Sequence, residues 1–264
     1  MKITIVTPVL NGAQFIRETV DSVLAQRGDF ELEYIVRDGG STDGTLDILR
    51  EYGGRVRVVS AKDGGPAAAI NAGMAEATGD ILAWLNADDV YESGALQKVA
   101  DFFLRHPQKK WCYGRCGIMD ENGREIRRPV TWYKNLIGWT YSRNLLLCEN
   151  YINQPATFWR CELWQACGSL SMEYKAAFDY DLWLRMAEIG RPAHLHARLA
   201  RFRRHAVSIS ENFVALQFAE EASIAAAHGN AIHRFLHELN RRKIVWVYGM
   251  LSRKGGRRVP GEQS

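Results

Sequence analysis

From residue 3 onward, short and largely apolar runs of strand length alternate with stretches whose apolar positions recur at helical spacing. Ile3 to Val9, Glu33 to Arg37, Val56 to Ser60 and Asp80 to Leu85 are the strand-like runs. Between them, Ile16, Val20, Val23 and Leu24 fall on one helical stripe, with Asn11 placed to cap it. Leu46, Ile48 and Leu49 mark a second helix, and Pro66 suits the first turn of a third that ends near Gly79. Ser93 is placed to cap a fourth, which Pro107 stops. Strand and helix in alternation predict a parallel sheet with crossover helices.

Beyond Trp111 the pattern loosens into a turn at Asn122-Gly123, many aromatic residues, and one clear helix from about Asp179 to Ile189, closed by Gly190. Residues 211 to 240 read as one or two helices. The remainder is basic and partly apolar.

Composition alters this picture in three places. With 264 residues, 47% hydrophobic and 24% charged, the chain can bury a full core. The formal charge of +4 is unevenly distributed. Residues 241 to 264 carry seven Lys or Arg against Glu262 alone, so the tail is +6 and residues 1 to 240 are −2. A slightly acidic body without a recognition motif argues against nucleic acid as a partner. Five cysteines, Cys112, Cys116, Cys148, Cys161 and Cys167, form an odd set without a C-x-x-C pair. They support neither a zinc knuckle nor a disulfide framework, and they fit reduced thiols in the cytosol. No leader-like segment opens the sequence, and the apolar run Ile244 to Leu251 is far short of the ~20 residues of a membrane span. The expected location is therefore cytoplasmic.

In open α/β sheets, ligands bind beyond the carboxyl ends of the strands. Polar residues follow three of the strands directly: Thr7-Pro8 to Asn11, Asp38 to Gly44, and Asn86-Ala87-Asp88-Asp89. Adjacent carboxylates at a strand end suit Mg²⁺ or Mn²⁺, which take oxygen ligands and are completed by substrate phosphates and water. Each of these residues read alone is equally a turn or capping residue, and Asp43 reads better as a cap than as a ligand.

Taken together, T-P-V-L-N-G at 7 to 12, D-G-G-S-T-D-G-T at 38 to 45, N-A-D-D at 86 to 89 and F-D-Y-D-L-W-L-R at 178 to 185 resemble family 2 glycosyltransferases of the GT-A fold. The resemblance implies a Rossmann-like α/β/α sandwich with a mixed, mainly parallel sheet, plus C-terminal helices. Residues 1–210 would form the catalytic domain, 1–110 its nucleotide-sugar half and 111–210 its acceptor half, with 211–264 as C-terminal helices and basic tail. The implied activity is transfer of a sugar from a nucleotide-diphosphate donor, UDP-sugars being favoured, to a hydroxyl of a glycan or lipid-linked acceptor.

The resemblance also assigns roles. Thr7, Pro8, Asn11, Asp38, Asn86 and Asp88 would bind the donor, with Asp63 bordering the pocket. Asp88 would hold the metal, with Asp89 and His205 completing the site. Asp179 would be the catalytic base, its carboxylate kept ionised by the helix start on which it stands. Asp181 would brace the same turn, Leu182, Leu184 and Met186 would enter the core, and Gly168 would lie in a loop near the acceptor. Two positions depart from the pattern. Asn86 stands where many relatives have the first Asp of D-x-D, and Phe178 replaces the acid that often precedes the base.

A nucleotidyltransferase would need a Gly-rich, basic phosphate loop after the first strand, which Val9 to Gly12 does not supply, and a dehydrogenase would need G-x-G-x-x-G there. Gln154 to Arg160 reads Q-P-A-T-F-W-R, unlike the Q-x-x-R-W of processive synthases. A non-catalytic nucleotide-sugar or glycan-binding protein is the rival from another class. The basic tail, 241–258, would suit peripheral contact with an anionic membrane or, equally, a docked helix with a solvated end.

Overall fold

The computed structural model describes residues 1–205, 214–240 and 242. Eight strands, β1 (Lys2–Val9), β2 (Glu31–Asp38), β3 (Arg57–Ser60), β4 (Ile81–Trp84), β5 (Val90–Tyr91), β6 (Trp111–Met119), β7 (Thr157–Arg160) and β8 (Ala193–Arg203), join into one sheet in the order β3-β2-β1-β4-β7-β6-β8-β5. β3, β2, β1 and β4 pair in parallel, β7 runs against β4 and β6, β8 is parallel to β6, and β5 closes the edge antiparallel. This is the mixed α/β sheet, flanked by helices, that the resemblance implies.

Helices cover both faces: α1 (Ile16–Leu24), α2 (Thr45–Arg50), α3 (Pro66–Ala75), α4 (Ala95–Arg105), α5 (Arg128–Ile137), α6 (Arg143–Cys148), α7 (Cys161–Cys167), α8 (Phe178–Ile189) and α9 (Val214–His228); residues 231–240 are helical as well. A sheet covered on both faces must bury both rows of each central strand, so those strands are nearly all apolar rather than alternating. In β1, Ile3 and Ile5 join Val20, Val23, Leu96 and Phe103 on the α1/α4 face, while Val6 joins Ile70, Met74 and Trp84 on the other. Gly73 lets α3 lie against β1, because a Cβ there would stand 2.5 Å from Val6 Cγ1.

Four fully buried tryptophans key α8 to the sheet. Trp183 stacks on Trp84 of β4 (5.7 Å, 10°) and on Trp111 of β6 (5.9 Å, 17°), and meets Trp159 of β7 at 5.9 Å. Such pairs add about 0.5–1.5 kcal/mol each beyond the area they bury. Leu182, Leu184 and Met186 are also completely buried.

The elements before Trp111 match the hydrophobic pattern closely, but two caps do not. Asn11 does not cap α1: the helix begins behind Phe15, and residues 12 to 15 form a turn closed on the Gly12 carbonyl. Ser93 does not cap α4, whose start follows Gly94 in the left-handed region at φ 69°. After Trp111 the structure holds more order than the pattern predicts, namely β6, β7, α5, α6 and α7. In β6 and β7 aromatic and cysteine side chains are buried on both faces, so these strands carry no clean two-residue period, and α6 and α7 are too short to show a helical one. The expected boundary at residue 210 and nearly all of the basic tail, 241–258, lie outside the described residues.

Candidate active site

The register of the parallel strands brings their carboxyl ends level. Val9 pairs with Asp38, Asp38 with Ser60, and Val6 with Trp84, so the loops leaving β1, β2, β3 and β4 emerge along one edge. The loops after β1 and β2 are stitched together. Asn11, at φ 53°, receives the Thr42 amide on Oδ1 (2.9 Å) and donates its own amide to Ser41 Oγ (2.8 Å). The Gly12 amide donates to Thr45 Oγ1 (2.9 Å) and the Ala13 amide to Asp43 Oδ2 (3.0 Å). Asp43 also takes the Thr45 amide, so it organises the start of α2 as a cap would.

Asp38 is buried and occupied. Its carboxylate accepts the Gly40 and Ser41 amides and the Ser60 hydroxyl (2.6 Å). Burial alone would raise its pKa, but the hydrogen bonds from Ser41, Ser60 and Gly40 outweigh it and hold the carboxyl below its ordinary range. Asp38 thus shapes the loop that follows β2. Thr7 and Pro8 are buried as well, Thr7 with its hydroxyl on Tyr34 Oη (3.0 Å). Asp63 is exposed and overhangs Gly39.

The Asn86–Asp89 loop divides its two acids. Asp88 is partly exposed and meets His205 Nε2 at 2.9 Å, joining the loop after β4 to the second residue beyond β8. Asp89 is fully buried. Its Oδ1 accepts the Arg203 amide (2.8 Å) and its Oδ2 the Asn86 side chain (3.3 Å). Burial, and then the charge of Asp88, push its carboxyl well above the ordinary range. The expectation that Asp89 ligates a metal is therefore corrected: both its oxygens are engaged inside the protein, where it holds the loop that presents Asp88. Asn86 is braced by Gln154, whose amide also donates to the Trp84 carbonyl (2.7 Å).

Among the described residues no three His, Cys, Asp or Glu gather as a metal cluster. Two partly exposed donors, a carboxylate and an imidazole, nevertheless fit a Mn²⁺ or Mg²⁺ site completed by diphosphate and water, because such ions take few protein ligands at nucleotide sites. The sequence pattern missed the residue behind this pair. Arg203, 1% exposed, donates to the carbonyls of Asp88 (2.8 Å), Asp120 (3.3 Å) and Glu121 (3.1 Å), pairs with Glu18, and lies over the Phe15 ring, which also contacts His205. The run R-F-R-R-H at 201–205 marked the strand as basic, but spacing alone does not say which arginine turns inward.

Asp179 stands in the first turn of α8. Trp84, two residues before Asn86, contacts both Phe178 and Trp183, so this turn flanks the same end of β4 as the Asp88 loop. β2 and β4 flank β1 in the sheet, so Asp38 is about two strand spacings, roughly 10 Å, along the same edge. Asp179 Oδ1 accepts the Tyr180 amide (2.7 Å). Its pKa is pushed from 3.8 to about 7, by burial first and then by the neighbouring carboxyl of Glu221, with Lys134 opposing. The helix start and the Tyr180 amide favour the charged form of this half-buried carboxyl, but desolvation outweighs them and holds the proton up to about neutrality. Asp181 does not brace that turn. It pairs with Arg185 (2.8 Å), whose guanidinium also binds the carbonyls of Cys167, Gly168 and Ser169 and so fastens the Gly168 loop to α8.

Comparison with known proteins follows the same lines. A family model described as Glycosyl transferase family 2 matches residues 4–160. A PGL/p-HBAD biosynthesis glycosyltransferase of Mycobacterium tuberculosis (strain ATCC 25177 / H37Ra) is 34% identical over 188 residues, 69% of this chain and 68% of that protein. An uncharacterized glycosyltransferase of Rickettsia felis is 24% identical over 258 residues; the alignment takes in 92% of this chain, yet the chain spans only 39% of that protein. Among solved structures, the mannosyltransferase PcManGT from Pyrobaculum calidifontis in complex with GDP-Man and Mn²⁺ superposes with a TM-score of 0.64 at 21% identity, over 91% of this chain and 68% of that one.

Proposed function

The chain belongs to glycosyl transferase family 2, and on that premise we propose that it is an inverting, divalent-metal-dependent glycosyltransferase. Its donor is a nucleotide-diphosphate sugar, with UDP-sugars favoured, and its acceptor is a hydroxyl of a glycan or lipid-linked molecule. The observation that carries this reading is the Asp88–His205 pair at the end of β4 with Asp179 on the adjoining turn of α8.

Asp88 and His205 would hold Mn²⁺ or Mg²⁺, which when bound neutralises the charge growing on the departing diphosphate. Asn86 lends a neutral amide to the donor side, and Asp63 and the Asn11–Ser41–Thr42 stitch border the nucleotide. Asp179 Oδ2 takes the proton from the acceptor hydroxyl as the new bond forms. A pKa of about 7 leaves it largely charged just above neutrality while basic enough to accept a proton, the compromise that favours general-base catalysis. One base set opposite the leaving group gives in-line displacement and inversion. Arg185 keeps the Gly168 loop, on the acceptor side, fixed to the helix that carries the base.

The test is a screen of UDP-, GDP- and dTDP-sugars for protection against thermal unfolding with and without Mn²⁺. One donor class should raise the midpoint only with the metal present, and Asp88→Asn should remove the effect. Protection without metal in wild type, or unchanged protection in Asp88→Asn, overturns the metal assignment.

Peripheral attachment to the cytoplasmic face of an anionic membrane is proposed on a separate observation. The helical residues 231–240 expose Ile232, Phe235, Leu236 and Leu239 along one stripe and lead directly into the basic tail. Full-length protein should bind vesicles containing phosphatidylserine, and protein lacking residues 241–264 should not; equal binding by both refutes it.

A further inference from the structure

Helices α8 and α9 both lie beyond the residues matched by the family model, and α9 touches the start of α8 directly. The carboxylate of Glu220 accepts three consecutive amides: Lys175 N on Oε1 (2.9 Å), Ala176 N on Oε2 (2.8 Å) and Ala177 N on Oε2 (2.9 Å). Ala177 is the residue from which α8 begins, and α8 has no side-chain cap of its own. Amides at a helix start lack intrahelical acceptors, and here a charge from another helix meets the ones that lead into it. Two residues after the last of them stands Asp179.

The rest of α9 reinforces the grip. Ile224 and Ala225 are buried in the core that includes Tyr180 and Trp183. His228 reaches Asp181 (3.6 Å) and Glu188 (3.0 Å) farther along α8. Glu221 turns inward beside Asp179, held by Gln217 (3.0 Å) and Asn150 (3.3 Å). Apolar packing would suffice to dock α9. A carboxylate that gathers three amides adds a fixed backbone position, which is what a base within reach of a hydroxyl requires.

We propose that Glu220 is the positioning residue for Asp179: by binding the amides of residues 175 to 177 it fixes the backbone from which the base projects, and α9 is thereby part of the catalytic apparatus. The proposal rests on the reading of Asp179 as the base. It is independent of the identity of donor and acceptor.

The experiment follows the side-chain carboxyl of Asp179 by ¹³C NMR across pH in aspartate-labelled full-length protein, with Asp179→Asn identifying the resonance, alongside amide hydrogen exchange. The charged groups facing this carboxyl are Glu221 of α9 and Lys134 of α5, and both are left intact. In Glu220→Ala, looser and better hydrated backbone should lower the Asp179 midpoint by about one unit and speed exchange at 175–177 by at least about tenfold. Glu220→Gln keeps one carbonyl acceptor, so it should fall between the two; it also serves if the alanine variant fails to fold. An unchanged midpoint with unchanged exchange at 175–177 overturns the proposal. So does a loosening shared by all of α8 and α9 with a matching fall in thermal midpoint, which would make Glu220 a structural clamp only. The base reading is judged separately, by whether Asp179→Asn retains transfer. Retention removes the catalytic meaning of Glu220, whereas an inactive Asp179→Asn beside an unaffected Glu220→Ala removes the positioning claim alone.

Discussion

Replacing Asp179 by Asn should do two opposite things: end sugar transfer and make the fold more stable in alkali. The folded protein raises the pKa of this carboxyl from 3.8 to about 7, so it holds the proton more tightly than the unfolded chain does. Below about pH 4 both states are protonated and the group costs nothing. As pH rises toward 7 the unfolded chain ionises freely while the folded one resists, and stability is lost across that window. At about 1.36 kcal/mol per unit, a shift of roughly three units removes roughly 4 kcal/mol by pH 8. Asn has nearly the same shape, and its Oδ1 can still accept the Tyr180 amide, so the variant should keep the fold and escape the loss. Urea unfolding of both proteins at pH 4.5, 6 and 8 gives the comparison, since the midpoint reports stability where the slope is unchanged. The variant should lead by only about 1 kcal/mol at pH 4.5 and diverge steadily, to several kcal/mol at pH 8. A difference constant across pH would show that burial does not hold the proton on this carboxyl; turnover at the wild-type rate would remove it as the base.

Glu221→Gln should lower the Asp179 midpoint and move the acid limb of the pH–rate profile to lower pH, because Glu221 is one of the groups that raises it; an unmoved limb would refute the coupling. Lys134→Met should move the same limb the other way, because Lys134 favours the charged form. Arg203→Lys keeps the charge but loses the fork that binds the carbonyls of Asp88, Asp120 and Glu121. Mn²⁺-dependent donor binding should weaken at least about tenfold as the Asp88 loop loosens, since removing a buried charged bond costs about 1.5–3 kcal/mol, and a titration at wild-type strength would sink the assignment. Trp183→Ala removes the ring shared by Trp84, Trp111 and Trp159 and should cost about 3–5 kcal/mol of stability, read as a fall in the unfolding midpoint.

The first half of the molecule was legible because its signals are local. Ile16, Val20 and Val23 declare the face of α1, Pro66 opens α3 as expected, and the polar residues after β1, β2 and β4 do emerge on one edge. The capping errors have a common cause. Asn11 and Ser93 have side chains suited to caps, but backbone geometry decided otherwise: Asn11 was drawn across to Thr42, and Gly94 supplied the left-handed turn. The second half was opaque because β6, β7 and the helices between them are recognised by partners far along the chain, as when Tyr113 Oη meets the Gly138 carbonyl or Gln154 meets Trp84.

The same division runs through the site. A carboxylate that is partly exposed and one that is buried are the same letter; Asp89 is the buried one, held where Asn86 offers its side chain and Arg203, 114 positions beyond it, its amide. The charge state of Asp179 likewise depends less on its own helix than on desolvation and on Glu221 of α9. Short motifs therefore name the groups that meet the substrate, whereas the long-range contacts that orient those groups and set their protons come from residues the motifs do not contain. A helix that carries none of the motifs can for that reason govern a base that stands within one, and substitutions at Glu220, Glu221 and Arg203 test that idea while leaving the proposed substrate-contacting residues in place.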